Sequence, residues 1–239
     1  MFRKKPEFFF KKLGVDLHSH LLPDIDDGVD TIEESVEVIK RFSAFGYHKI
    51  ITSPHLRYDL FPNTKEIILE KYKLVKERLK DEGVPVQLEV TAEYFIDEHF
   101  QELMQDTNQL LVFGKNHILV EASFINEPAI FKDVLFYLNS RGLKPIIVHP
   151  ERYQYFSTDK SRFLEIDQMN ILWQINMMSI TGYYGRGIQK MAEWMIDQKK
   201  VHFLGSDCHH IKHTDELQKL PQFKYFKKAL KLDLLNHTL

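Results

Sequence analysis

The sequence predicts an α/β fold: a single domain built on a parallel barrel, closed or nearly closed, of seven strand-then-helix units. Three observations point there. Short apolar runs alternate with helix-period segments from residue 15 to the C-terminal region. No internal repeat, low-complexity linker or break in composition divides the body of the 239 residues. Six of the seven strand ends carry His, Asp or Glu, and barrels of this kind build their sites on that rim. A doubly wound open sheet is the alternative arrangement of the same elements.

The first strand runs Val15-Asp-Leu-His18. Ile32, Val36, Ile39 and Phe42 then fall at helix spacing, with Thr31 as cap, Glu34 completing a capping box and Gly46 ending the helix. Lys49-Ile-Ile-Thr-Ser53 is the second strand, and Asn63 to Lys80 a long helix closed by Gly83 and Pro85. Strands at Val86 to Thr91, His117 to Val120, Pro145 to Val148, Ile171 to Ile175 and Val201 to Leu204 follow. Helices at Ala129 to Ser140, Ser161 to Met169, Ile188 to Lys199 and within Thr214 to Asn236 separate and follow them.

With 44% hydrophobic and 28% charged residues, the composition is that of a soluble globular protein and excludes disordered, collagen-like and coiled-coil chains. Lys and Arg total 32 against 34 Asp and Glu, and a net charge of −2 argues against a dedicated nucleic-acid binder. One cysteine, Cys208, excludes an internal disulfide framework and every multi-cysteine zinc site. No apolar run approaches the roughly 18 residues of a membrane span, and the N-terminus lacks the apolar region of a secretory signal, so the expected location is the cytoplasm. Residues 1–13 form a basic, aromatic arm ahead of the body at 14–239. Packing of its phenylalanines on the body is the plainer expectation. Basic and aromatic residues at 2–12 would also suit weak contact with an anionic membrane surface or a membrane-bound partner.

The chemistry lies at the strand ends: His18-Ser-His20, His55, Glu93, Glu121, His149 and Asp207-Cys-His209, with Asp27 in the loop after the first strand. Imidazoles and carboxylates without thiolates suit Mn, Fe or Zn. These nine residues are enough for two or three divalent ions, and three would leave a surplus of positive charge that attracts an anion. Arg152, just beyond the His149 strand end, is placed to bind phosphate oxygens, and Lys212 stands beyond His209. Tyr183 and Tyr184, past the sixth strand, would wall an aromatic substrate, with Arg186 contacting phosphate. His48, His99, His117, His202, His213 and His237 read as surface or loop residues. Cys208 invites a cysteine-nucleophile reading, but no arginine lies six residues after it, so a core position is expected.

The run Asp16-x-His18-x-His20-x-Leu22-Pro23-x-x-Asp26-Asp27-Gly28 resembles the start of the PHP (polymerase and histidinol phosphatase) superfamily. The Asp26-Asp27-Gly28 variant is similar to its branch of bacterial capsule and exopolysaccharide tyrosine phosphatases. Ser53-Pro-His55, Ala92-Glu93, Val120-Glu121, Val148-His149-Pro-Glu-Arg152-Tyr153, Gln174-Ile-Asn176 and Ser206-Asp207-x-His209 match in order. The resemblance implies a distorted (β/α)7 barrel with three ions, usually manganese. The first would sit on His18, His20, Glu93 and Asp207, the second on Asp27, His55 and His209, and the third on Glu93, Glu121 and His149, with Glu93 bridging. It implies hydrolysis of phosphotyrosine, on a membrane-associated tyrosine kinase that controls polysaccharide export, by in-line attack of a metal-bridging hydroxide. Some relatives form rings through the first helix, so a homo-oligomer is among the implied arrangements. The family arginine past the Asp-x-His pair is absent, and Lys212, a point charge where arginine is a fork, stands in its stretch. Histidinol-phosphate phosphatase, another small-molecule phosphoesterase and a non-catalytic metal-stabilised binding module are the rival readings. The Asp26-Asp27 pair argues against the first and the complete ligand set against the last.

Overall fold

The structure, a computed structural model, describes residues 6–239, with side chains from Phe10 onward. Residues 1–5 of the basic, aromatic arm invoked for a membrane surface, and the side chains of residues 6–9, therefore lie outside the described residues. Its remainder is helix α1 (Pro6–Leu13), whose Phe10 is buried against Phe45, Tyr47 and Phe226, with ring centroids 5.3, 5.5 and 5.8 Å away.

Strand β1 (Val15–Asp16) leads through a long loop to α2 (Ile32–Phe45). The expected cap is present: Thr31 accepts from the Glu34 backbone N–H, and Gly46 closes the helix at φ 105°, where a side chain would be strained. The second and third strands each break once. The second is β2 (Lys49–Thr52) then β3 (His55–Leu56), interrupted at Ser53-Pro54. Helix α3 (Lys65–Asp81) follows, and the third strand is β4 (Gln87–Val90) then β5 (Glu93–Phe95), interrupted at Thr91-Ala92. After a short α4 (Glu98–Leu103) come β6 (His117–Glu121), α5 (Phe131–Ser140) and β7 (Lys144–Val148). The helix expected at 161–169 is α7 (Lys160–Ile166), capped by the Asp159 side chain, and a short α6 (Gln154–Thr158) precedes it. Then follow β8 (Leu172–Asn176), α8 (Met177–Thr181), α9 (Arg186–Asp197), β9 (Phe203–Gly205), α10 (Ile211–Leu217) and α11 (Lys224–Ala229).

All strand pairs are parallel, in the orders β1-β2-β4 and β3-β5-β6-β7-β8-β9. Because β3 and β5 continue β2 and β4, the strands run in chain order without a topological switch point, which is the barrel pattern rather than the open doubly wound one. No continuous ladder joins the first strand to the last. They meet at the rim instead, where Asp207 N–H donates to His18 O and His20 N–H donates to Cys208 O, both at 2.8 Å. Lower down, Asp16 accepts from the Ser206 backbone and hydroxyl at 2.8 Å each, and the Asn236 side-chain amide donates to Val15 O and Leu204 O. Side chains thus do the pairing that the short edge strands leave undone.

Val15, Leu17, Ile51, Leu119, Ile146, Val148 and Phe203, from several strands, share one cluster, the barrel interior. Their neighbours Ile50, Val120, Ile147 and Leu204 belong to the larger layer against the helices. Two-residue alternation then carries the inward face up to the rim: Leu119 to Glu121 on β6, and Phe203 through Gly205 to Asp207 after β9.

Candidate metal centre

Two of the strand ends are turned by unusual backbone. His149 has φ 33° and Asp207 φ 50°, the left-handed region that non-glycine residues rarely adopt. The strand-to-loop junctions hold this strain, and both side chains face the centre of the rim.

There the eight strand-end residues and Asp27 converge. Nε2 of His18 and Nε2 of His20 are 3.3 Å apart, and they lie 3.1 and 3.3 Å from Glu93 Oε2 and 3.5 and 3.4 Å from Asp207 Oδ1. Four donors on a tetrahedral ion with bonds of about 2.1 Å sit roughly 3.4 Å from one another, so this spacing fits one cation. Asp27 Oδ1 lies 3.5 Å from His55 Nε2 and 3.4 Å from His209 Nε2. Glu93 turns its other oxygen to His149 Nε2 at 3.0 Å, and Glu121 Oε1 is 3.7 Å from the same nitrogen. Glu93 therefore faces two groups of donors, one with each oxygen. Glu121 Oε2 and His55 Nδ1, 3.9 Å apart, are buried with no hydrogen-bond partner. Orphaned donors around a cluster of buried carboxylates fit divalent cations better than they fit a closed hydrogen-bond network.

A surrounding set of contacts aims these donors, as ligating imidazoles generally require. His18 Nδ1 meets Gln174 Oε1 at 2.8 Å, His20 Nδ1 meets Asp26 Oδ2 at 2.8 Å, and His209 Nδ1 donates to Asp207 O at 2.9 Å. Each leaves Nε2 inward. Asp26 also accepts from the backbone N–H of Gly28 and of His55. Asn176 and Arg152 both donate to Asp207 Oδ2, at 2.6 and 3.2 Å, which leaves Oδ1 for the centre.

Electrostatics say what the metal-free cluster does with its charge. Burial opposes the charged forms of His18 and His20, yet the carboxylates around them raise both, His20 well above the ordinary value. Burial would also raise Glu93, but the imidazoles of His18 and His55 hold it well below the usual carboxylate range. Glu121 is pushed well above that range by burial and by the neighbouring Glu93 charge. Burial lowers His149 to about 4.

The donors floor a cavity of about 400 Å³. Phe124 and Tyr184 wall it, and the Arg152 guanidinium lies between their rings, 4.3 and 4.7 Å from the centroids. Of the residues expected to wall a substrate, Tyr184 lines the cavity. Lys212, Tyr183 and Arg186 do not line the cavity. Lys212 is exposed on α10, Tyr183 turns its ring edge-on to His213, and Arg186 donates to Gln189 at the exposed start of α9. His213 departs from its expected surface position: it is buried at the cavity wall and accepts from the His209 backbone N–H. Cys208 is buried, as expected. Sequence reasoning missed the aiming roles of Asp26 and Gln174, and Arg57, Leu60 and Phe61, which also line the cavity. Among the described residues, no helix is long and apolar enough to cross a membrane.

The sequence profile for capsular polysaccharide synthesis, CpsB/CapC, matches residues 14–231. The chain belongs to the CpsB/CapC family. Within that family, it is 30% identical over 198 residues to CapC of Staphylococcus aureus, covering 82% of this chain and 77% of the relative. The tyrosine-protein phosphatase YwqE of Bacillus subtilis is 25% identical over 206 residues, covering 84% and 81%. The tyrosine-protein phosphatase CpsB of Streptococcus agalactiae is 26% identical over 205 residues, covering 82% and 83%. A solved structure from a study of YwqE from Bacillus subtilis and CpsB from Streptococcus pneumoniae, described as unique metal-dependent tyrosine phosphatases, superposes with a TM-score of 0.77 at 25% identity, over 92% of this chain and 94% of that one. A lactonase from Listeria monocytogenes shares the fold at TM-score 0.56 and 11% identity, likeness of architecture alone.

Proposed function

We propose that this CpsB/CapC chain is a metal-dependent protein-tyrosine phosphatase of the cytoplasm, carried by residues 14–239. Its substrate would be phosphotyrosine on a membrane-associated tyrosine kinase that regulates capsular or exopolysaccharide synthesis. The observation that carries the reading is the convergence of nine nitrogen and oxygen donors beneath a cavity with an arginine at its wall. The names of the relatives supply the substrate class.

The residues would hold three ions: one on His18, His20, Glu93 and Asp207, one on Asp27, His55 and His209, and one on Glu93, Glu121 and His149. Manganese is the proposed metal, with iron and zinc chemically compatible. Such ions, when bound, supply an acidified water as nucleophile and neutralise phosphoryl charge. The protein's own part is orientation. Arg152, clamped between two rings and tied to Asp207, presents a guanidinium that binds equatorial phosphoryl oxygens without first being ordered. Phe124 and Tyr184 suit an aryl ring at the mouth. A tyrosine leaving group, with a pKa of about 10, needs less proton assistance than an alkyl alcohol.

The test compares hydrolysis of a phosphotyrosine peptide and of histidinol phosphate by chelated protein, with and without Mn²⁺, beside His149→Ala. Mn-dependent turnover of the peptide, lost in the variant, is expected. Turnover of histidinol phosphate alone would move the chain to the biosynthetic branch.

A further inference from the structure

Besides Arg152, the cavity is lined by Arg57, Leu60 and Phe61 of a five-residue hairpin, Arg57-Tyr-Asp-Leu-Phe61, that follows β3. Two main-chain hydrogen bonds close it: Arg57 N–H to Phe61 O at 3.1 Å and Phe61 N–H to Arg57 O at 2.7 Å. Phe61 stacks on the His55 ring at 5.3 Å, so the hairpin is fastened to a residue of the metal centre. Its first residue, Arg57, lines the same cavity as Arg152.

The Arg57 head is held on two sides. The guanidinium carbon lies 4.1 Å over the centroid of Phe95, and Nε and Nη2 donate to Asp59 at 2.8 and 3.2 Å. Among the described residues Nη1 has no hydrogen-bond partner. A guanidinium with an unspent N–H edge, fixed by an aromatic face and by a carboxylate on its far edge, is a prepared anion contact. The side chain is only 29% exposed, unlike Lys212, which points to solvent. Arg57 and Arg152 both line the cavity, and both charges act on the Glu121 carboxyl, which lines it too.

We infer that Arg57 is the second phosphate-binding cation of this site, filling from the β3 hairpin the place that the sequence suggested for Lys212. The inference rests on the phosphatase reading for its physiological substrate, but anion binding itself does not. Binding of inorganic phosphate to Mn²⁺-loaded protein, followed by calorimetry, therefore tests it without any turnover. Arg57→Gln is expected to weaken phosphate binding roughly tenfold or more. Arg57→Lys, which keeps the charge but loses the fork, should fall between that variant and the parent. Thermal melts and metal content should match the parent, because the Arg57 head is partly exposed. For aryl phosphates, the same variant should raise KM more than it lowers kcat.

Unchanged phosphate affinity in Arg57→Gln would overturn the inference, as would a loss confined to Lys212→Gln. A parent protein that binds phosphate through Arg57 yet hydrolyses no phosphotyrosine would leave the inference standing and remove the phosphatase reading. Should Arg57→Gln fail to fold or to load metal, Arg57→Lys decides, since parental phosphate affinity in that variant contradicts a forked contact.

Discussion

Asp26 makes three contacts from one carboxylate: the His20 ring, the Gly28 backbone and the His55 backbone. It therefore fixes the tautomer of one candidate ligand and the position of another while lying outside the donor set. Asp26→Ala is expected to lower metal affinity about 10- to 100-fold, the usual consequence of removing such a partner, as measured by metal content after dialysis. Arg152 contributes differently, since it meets the substrate. Arg152→Ala, assayed with Mn²⁺ in excess because the Asp207 contact is lost as well, should reduce kcat/KM on a phosphotyrosine peptide by roughly 10²- to 10³-fold, in line with loss of one preorganised oxyanion contact. The candidate ligands were legible in the sequence because residue type and strand-end position coincide. Asp26 and Gln174 were not assigned as partners, since which carboxylate or amide meets which imidazole depends on loop paths that no local pattern encodes. Arg57 was invisible for the same reason: nothing in its neighbourhood says that five residues fold back over the cavity.

At the scale of elements, helix α2 could be read in full from Thr31, its apolar spacing and Gly46. The breaks in the second and third strands could not, because each half is too short to show a period of its own. Those breaks move His55 and Glu93 onto separate short strands that pair with each other, so they shape the floor of the site. The loop between β1 and α2 is as tightly set. A Cβ on Gly28 would lie 2.3 Å from the His20 carbonyl oxygen, so Gly28→Ala must displace the His20 backbone. Loss of about 1–3 kcal/mol of stability is expected, with reduced metal retention, read by melting and metal content. The turn after β7 is tied to α8 by buried Glu151, which accepts from Asn176 N–H at 2.9 Å and the Ser179 hydroxyl at 2.7 Å. Burial pushes its carboxyl up to about 7. A raised carboxyl favours folding below its unfolded value and loses that advantage as pH rises through 7. Glu151→Gln should therefore gain on the parent between pH 5 and 8, by at most roughly 3 kcal/mol, in denaturation of the chelated proteins.

The whole molecule couples cations to protons. The carboxylates around His18 and His20, and burial with the Glu93 charge at Glu121, raise the proton affinity of all three, so cations and protons would compete for the cluster. Mn²⁺ binding to the chelated chain at pH 7 is expected to release protons in a weakly buffered titration, and its apparent affinity should fall as pH falls. Ion uptake with no proton release would mean that the cluster is not the binding site. The barrel order was legible from seven alternating units, whereas the side-chain closure by Asp16 and Asn236 was not, because contacts across some 190 and 221 residues leave no local trace.

The most direct test of the central claim strips the protein with chelator and restores Mn²⁺ in steps, following bound metal and phosphotyrosine-peptide turnover on the same sample. Turnover should be near zero in the stripped chain, rise as up to three ions bind, and be absent in His149→Ala. Full turnover by the stripped chain, or complete loading with no hydrolysis of the peptide, would contradict a metal-dependent tyrosine phosphatase built on these nine residues.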